Sequence, residues 1–256
     1  MLLLHGQPGQ ADDWDAVAAA LEADHRVLAV DRPGYGATRL AATSMAENAA
    51  LAARLLAERG AVPAVVVGHS YGGGVALLLA ARHPDAVAGL VLAASVGRAG
   101  SVSGADRLLA LPVLGDALSA AGLFALGRVL PRLGALSTRL GGHAGSWLQA
   151  SLPDRRYAAG LSQSGVRLWR SFVTEQRALL DEIGDVEAAV GAVAAPTVVV
   201  TGTWDVVVPP SVAAGLAGAV RGAELVTLSR TGHFLPRDAP GVLAGAVRRV
   251  WGRAGG

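Results

Sequence analysis

Short runs of consecutive apolar residues recur along this chain, each about the length of a buried strand and each followed by a polar or glycine-rich break. They occupy residues 2–4, 26–31, 65–68, 90–94, 197–201 and 224–228. Most do not alternate apolar with polar positions, as a half-exposed strand would. Continuous runs mean burial on both faces. Between them lie stretches with helical spacing at 12–23, 44–59, 73–81 and 241–251, with Asp12 or Asp13 placed to cap the first. Strand and helix in alternation predict an α/β fold, a mostly parallel sheet flanked by helices.

The rhythm breaks between 97 and 193, where no strand pattern is visible. Helical pieces at 105–111, 116–129, 145–151 and 163–183 take its place, punctuated by Gly and Pro. This divides the chain into a core, residues 1–96 with 194–256, and an inserted helical cap, residues 97–193. The stretch 114–140 is apolar enough to pack on the core. Asp116, Arg128, Pro131 and Arg132 argue against its spanning a membrane, and no uninterrupted apolar run reaches the ~18 residues a span requires.

Composition narrows the picture. Of 256 residues 52% are hydrophobic, so a large core is expected and disorder is not. All 22 basic residues are Arg, and the formal charge is only +2. Apart from pairs such as Arg155-Arg156 and Arg248-Arg249 the arginines are scattered among acids, so no nucleic-acid-binding face is expected. The absence of Cys excludes disulfides, thiolate metal sites and a cysteine nucleophile, and fits a reducing compartment. Met1-Leu2-Leu3-Leu4 runs into His5-Gly6 without a basic leader, so a cytoplasmic location is expected.

One segment carries chemistry. Gly68-His69-Ser70-Tyr71-Gly72 follows an apolar strand and precedes a small-residue helix. A serine at the apex of a tight strand–turn–helix is lifted clear of the backbone, and the strained turn needs glycine two places either side. A serine hydroxyl is a poor nucleophile unless a base takes its proton, and the base needs an acid to orient it. Asp205 lies just past the strand at 197–201, and His233 a few residues past the strand at 224–228. In a parallel sheet these positions share the rim where Ser70 sits, which is where ligands bind. His5-Gly6-Gln7-Pro8-Gly9, directly after the first strand, supplies a close-approaching loop. The backbone N–H groups of Gln7 and Tyr71 are the expected donors to a carbonyl oxygen that gains negative charge. His5 and Asp31 are expected to brace loops, and the His69 side chain to pack under the serine turn. Trp147, Trp169, Phe124 and Phe172 in the cap are expected chiefly to pack, with pocket lining as the alternative.

With HGQPG at 5–9, DRPGYG at 31–36, GHSYGG at 68–73, GTWD at 202–205 and GHF at 232–234, the chain resembles the α/β-hydrolase superfamily over nearly all of its length outside the cap. The resemblance implies a serine hydrolase with Ser70, Asp205 and His233 as triad, cleaving a carboxylic ester or related acyl bond without metal or organic cofactor. Ser70, where carboxylate-using relatives carry Asp, argues against epoxide hydrolase or dehalogenase chemistry. Lactone, amide and diketone C–C cleavage, and cofactor-free perhydrolysis, stay open. So does a binding module with a vestigial triad, which the intact motifs weigh against. A small to medium apolar, ester-like substrate is expected, with no stable membrane insertion. Such proteins normally carry two further strands before the HGxPG strand. The chain is therefore expected to be a fragment or to have a misassigned start, with strand 26–31 left as an open sheet edge.

Overall fold

A computed structural model describes residues 1–152 and 165–255. The Arg155-Arg156 pair and the expected helix start at Gln163 lie outside the described residues. In chain order the elements are β1 (Leu2–Leu4), α1 (Asp15–Leu21), β2 (Leu28–Val30), α2 (Met45–Glu58), β3 (Ala64–His69), α3 (Tyr71–Arg82) and β4 (Val87–Ala93). Then follow α4 (Gly104–Ala110), α5 (Leu114–Leu140), α6 (Gly142–Ser151) and α7 (Gly165–Ala189). The chain closes with β5 (Thr197–Gly202), α8 (Pro210–Ala219), β6 (Glu224–Leu228), α9 (Leu235–Asp238) and α10 (Pro240–Arg253).

The strands form one parallel sheet in the order β2-β1-β3-β4-β5-β6. Their continuous apolar character follows from helices on both faces. Val66, Leu90, Leu92 and Val199 point into the cluster that α2, α3, α7 and α8 share. Val65, Val67, Val91, Val198 and Val200 point into the opposite cluster with α1 and α10. β2 and β6 are the exceptions. They close the two ends of the sheet, and their residues are only half-buried or exposed.

The strand order fixes where a ligand can sit. After β1 the chain crosses to the α1 face, whereas after β3 it crosses to the α3 face. Because β1 and β3 are neighbours, with Leu4 paired to Gly68, their outgoing loops part and leave a crevice between them.

Several elements differ from the sequence expectation. The first helix opens with a 3₁₀ turn, Ala11–Trp14, capped at Gln10, whose N–H donates to Asp13 Oδ2 at 3.0 Å. The helix expected to end at Val129 continues through position 131 to Leu140, with Leu130 buried against Tyr35 and Leu168. α8 has no counterpart in the sequence reading. Among the described residues no single helix is long and apolar enough to cross a membrane. The helices Gly104–Ala110 and Leu114–Leu130 reach that hydropathy only together, and the chain turns by 109° between them.

Candidate functional site

Ser70 stands between β3 and α3 with φ 53° and ψ −120°, a left-handed conformation that costs a non-glycine residue on the order of 1–3 kcal/mol. Close packing holds it there. A Cβ on Gly68 would lie 2.4 Å from the Gly72 carbonyl oxygen. A Cβ on Gly72 would lie 2.4 Å from that of Leu4 and 2.5 Å from that of His5. The glycines therefore let α3 sit directly against β3 and the end of β1. The Ser70 N–H donates to Ala93 O at 3.0 Å, anchoring the turn to β4.

On the far side of the rim, His233 Nδ1–H donates to Asp205 Oδ2 at 2.9 Å. The other carboxylate oxygen accepts the N–H groups of Val207 at 2.9 Å and Val208 at 2.8 Å. Both side chains are buried, so the pair is shielded from water. With Nδ1 committed to the acid, Nε2 of a neutral His233 is left as the basic nitrogen.

His69 links these two halves. Its Nε2–H donates to the His233 carbonyl oxygen at 2.9 Å, and the two rings lie 4.8 Å apart, tilted by 46°. Burial, with His233 nearby, pushes His69 down to about 3, so it stays uncharged at neutral pH. Sequence reasoning assigned it packing under the turn; it also ties the serine turn to the histidine loop. The structure thus pairs Asp205 with His233 by a direct bond and brings Ser70 to them through its neighbour His69, with no hydrogen bond from the Ser70 hydroxyl to His233 among the described residues.

The loop after β1 lies against the serine. A Cβ on Gly6 would meet His69 Nδ1 at 2.9 Å and Ser70 Cβ at 3.0 Å. Among the described residues neither the Gln7 N–H nor the Tyr71 N–H donates to a protein group. The Tyr71 side chain turns into the core, and its hydroxyl is buried without a hydrogen-bond partner among the described residues. Asp31 braces loops as expected, accepting the Ala11 N–H at 2.8 Å and the Ala37 N–H at 2.7 Å.

A cavity of about 440 Å³ opens here. Gly6, Gln7, His69 and His233 line its chemical end, and Leu126, Leu130, Leu152 and Phe234 supply apolar wall. Ser70 itself, 7% exposed, lies next to the lining residues rather than among them. Trp147, Trp169, Phe124 and Phe172 do not line this cavity. Phe124 is instead exposed under the Arg128 guanidinium, 3.5 Å from its ring centroid.

The Alpha/beta hydrolase family profile matches residues 1–246. The chain belongs to the alpha/beta hydrolase family. It is 31% identical over 235 residues to a pimeloyl-[acyl-carrier protein] methyl ester esterase of Neisseria meningitidis, covering 90% of this chain and 70% of that protein. It is 41% identical over 99 residues to the dihydrolipoyllysine-residue acetyltransferase component of the acetoin cleaving system of Cupriavidus necator, but that match spans only 26% of the latter. Among solved structures, a thermophilic esterase from Thermogutta terrifontis shares the fold with a TM-score of 0.76 at 22% identity, covering 99% of this chain and 89% of that one.

In this α/β hydrolase the sequence reading missed one buried group of residues beside the site. Arg32 and Glu175, both buried, form an ion pair between the loop after β2 and helix α7. Burial pulls Arg32 down, but the Glu175 charge and hydrogen bonds more than offset it and hold the guanidinium above its ordinary value. Nothing local in the sequence marks this pair, because its partners are 143 positions apart.

Proposed function

We propose that this α/β hydrolase is a serine esterase that cleaves an apolar carboxylic ester through an acyl-enzyme. The observation that carries the reading is the shielded His233–Asp205 hydrogen bond on the rim that also presents Ser70. The Ser70 hydroxyl attacks the ester carbonyl while His233 Nε2 takes its proton and Asp205 stabilises the imidazolium. The carbonyl oxygen, now negative, accepts from the Gln7 and Tyr71 N–H groups. Collapse of the tetrahedral adduct expels the alcohol, which takes the proton from His233. Water then attacks the acyl-Ser70 ester, giving a proton to His233. Collapse releases the acid and returns that proton to Ser70.

The likeness to a pimeloyl-[acyl-carrier protein] methyl ester esterase supports ester cleavage, and the apolar wall of the cavity supports an uncharged acyl chain. The helices of segment 97–193 act as a cap, since Leu126, Leu130 and Leu152 form that wall. A fluorophosphonate probe tests the reading. Wild-type protein is expected to be labelled and to hydrolyse p-nitrophenyl esters, and Ser70→Ala to do neither. Labelling that persists in Ser70→Ala, or its absence from folded wild type, overturns it.

A further inference from the structure

The loop that carries Gln7 is gripped from behind by the buried Arg32–Glu175 pair, which has no part in the proton transfers above. Arg32 Nε donates to the His5 carbonyl oxygen and Nη2 to that of Gly6, each at 2.9 Å. The remaining guanidinium hydrogen bonds go to Glu175: Nη1 to Oε1, and Nη2 to Oε2 at 3.1 Å. Tyr35 adds a hydroxyl donor to Glu175 Oε2 at 2.7 Å. In a planar trans peptide the C=O and N–H point in opposite directions. Fixing the Gly6 carbonyl on Arg32 therefore fixes the direction of the Gln7 N–H away from Arg32. Gly6 itself abuts Ser70 and His69, so the direction set is that of an N–H beside the nucleophile.

We propose that Arg32 and Glu175 are positioning residues for the oxyanion-binding peptide, and that helix α7 thereby sets the geometry of acyl transfer. This rests on the serine-esterase reading. A pair that served stability alone could be replaced by apolar side chains at little cost, and its donors need not converge on two successive carbonyls of one functional loop. Helix α7 holds the same region at two more points. The Phe172 carbonyl accepts from Gln7 Nε2 at 2.7 Å, and Ser171 Oγ donates to the Gly34 carbonyl at 2.8 Å. A change in how α7 lies on the core therefore reaches the Gln7 N–H directly.

The test compares two variants with wild type. Arg32→Met/Glu175→Leu removes both charges and leaves no orphaned ion. Arg32→Lys keeps the charge but loses the fork that reaches two carbonyls and a carboxylate together. For the double variant, kcat on a p-nitrophenyl ester is expected to fall about 10²-fold, with KM within about threefold of wild type. Affinity for a trifluoromethyl ketone, which forms a tetrahedral adduct on the serine, is expected to fall by the same factor as kcat. Arg32→Lys moves both quantities in the same direction, by about tenfold or more, and decides the matter if the double variant does not fold. Unchanged kcat, or a rise in KM alone, in a folded variant that still labels at Ser70 overturns the inference but not the esterase reading. Absence of Ser70-dependent labelling in wild type overturns both.

Discussion

His69 and His233 are joined by a bond that fixes the tautomer of one and the backbone of the other: His69 Nε2–H donates to the His233 carbonyl oxygen at 2.9 Å. Burial pushes His69 from its ordinary 6.5 to about 3. Between those values the unfolded chain holds a proton at this site and the folded protein does not. Its stabilising contribution is therefore complete above 6.5 and lost as pH falls toward 3, with a slope of up to about 1.4 kcal/mol per pH unit. His5 adds in the same sense, since burial and then Arg32 also push it down. Urea unfolding at a series of pH values from 7 to 4 checks this. In His69→Gln the fall is expected to be shallower by about that slope, and parallel curves for the two proteins would rule it out.

Gly72 sets helix propensity against packing. By propensity alone, alanine in a helix is about 1 kcal/mol better than glycine. At Gly72 the added methyl meets two backbone carbonyl oxygens within 2.5 Å, and backbone cannot step aside as a side chain can. Overpacking of this kind costs about 1–3 kcal/mol, so packing wins. Gly72→Ala is expected to lower Tm by up to roughly 8 °C, at about 2–4 °C per kcal/mol for a domain of this size. Gly184→Ala is the control. It lies on α7 with no atom of the described residues within 4 Å of the added methyl, and it is expected to be neutral or to raise Tm by a few degrees. Equal shifts in the two variants would count against the steric account.

These two glycines also show what the sequence disclosed and what it did not. Gly72 was legible because a strand, a serine and a helix on either side demand a close approach there. The inner strands were legible because β3, β4 and β5 are buried on both faces, which leaves unbroken apolar runs. Asp205 and His233 were legible because each follows a strand whose end must lie on the same rim. Helix α8 was not legible. It begins at Pro209-Pro210, a pair that carries no apolar periodicity into the helix, although proline suits the first turn of a helix because its missing N–H is not needed there. The length of α5 was hidden similarly by Pro131, since contacts on both sides, at Leu130 and Ser137, hold the helix through it. Arg32–Glu175 was illegible for a different reason: the pairing depends on how α7 packs, and no periodicity encodes that.

Leu126 stands on α5 at the wall of the cavity that holds His69 and His233. The cavity is about 440 Å³, so a larger side chain at this position takes space from a long acyl chain before a short one. A Leu126→Trp variant is expected to lower kcat/KM for the longest accepted p-nitrophenyl ester by about tenfold or more, the scale of one or two methylenes in an apolar pocket. Turnover of the acetate is expected to stay unchanged. A uniform loss across chain lengths would move the acyl pocket elsewhere.

Asp205 does two jobs with its two oxygens, and one substitution separates them. Oδ2 accepts from His233 Nδ1, while Oδ1 accepts from the Val207 and Val208 N–H groups. Asparagine has nearly the same shape. Its oxygen can keep the two backbone bonds, so the loop and the fold are expected to survive with stability changed by no more than about 1 kcal/mol. Its amide then faces His233 Nδ1 as a donor. The imidazole must answer with a lone pair at Nδ1, which places its proton on Nε2, where the base needs a free lone pair. The charge that would stabilise the imidazolium is lost at the same time. Asp205→Asn is therefore expected to lower kcat about 10⁴-fold on ester substrates while KM moves little. Steady-state kinetics beside a thermal melt checks both halves. If kcat stays within tenfold of wild type, the orienting acid is another residue. If the melt collapses, the carboxylate is there for the loop and not for the histidine.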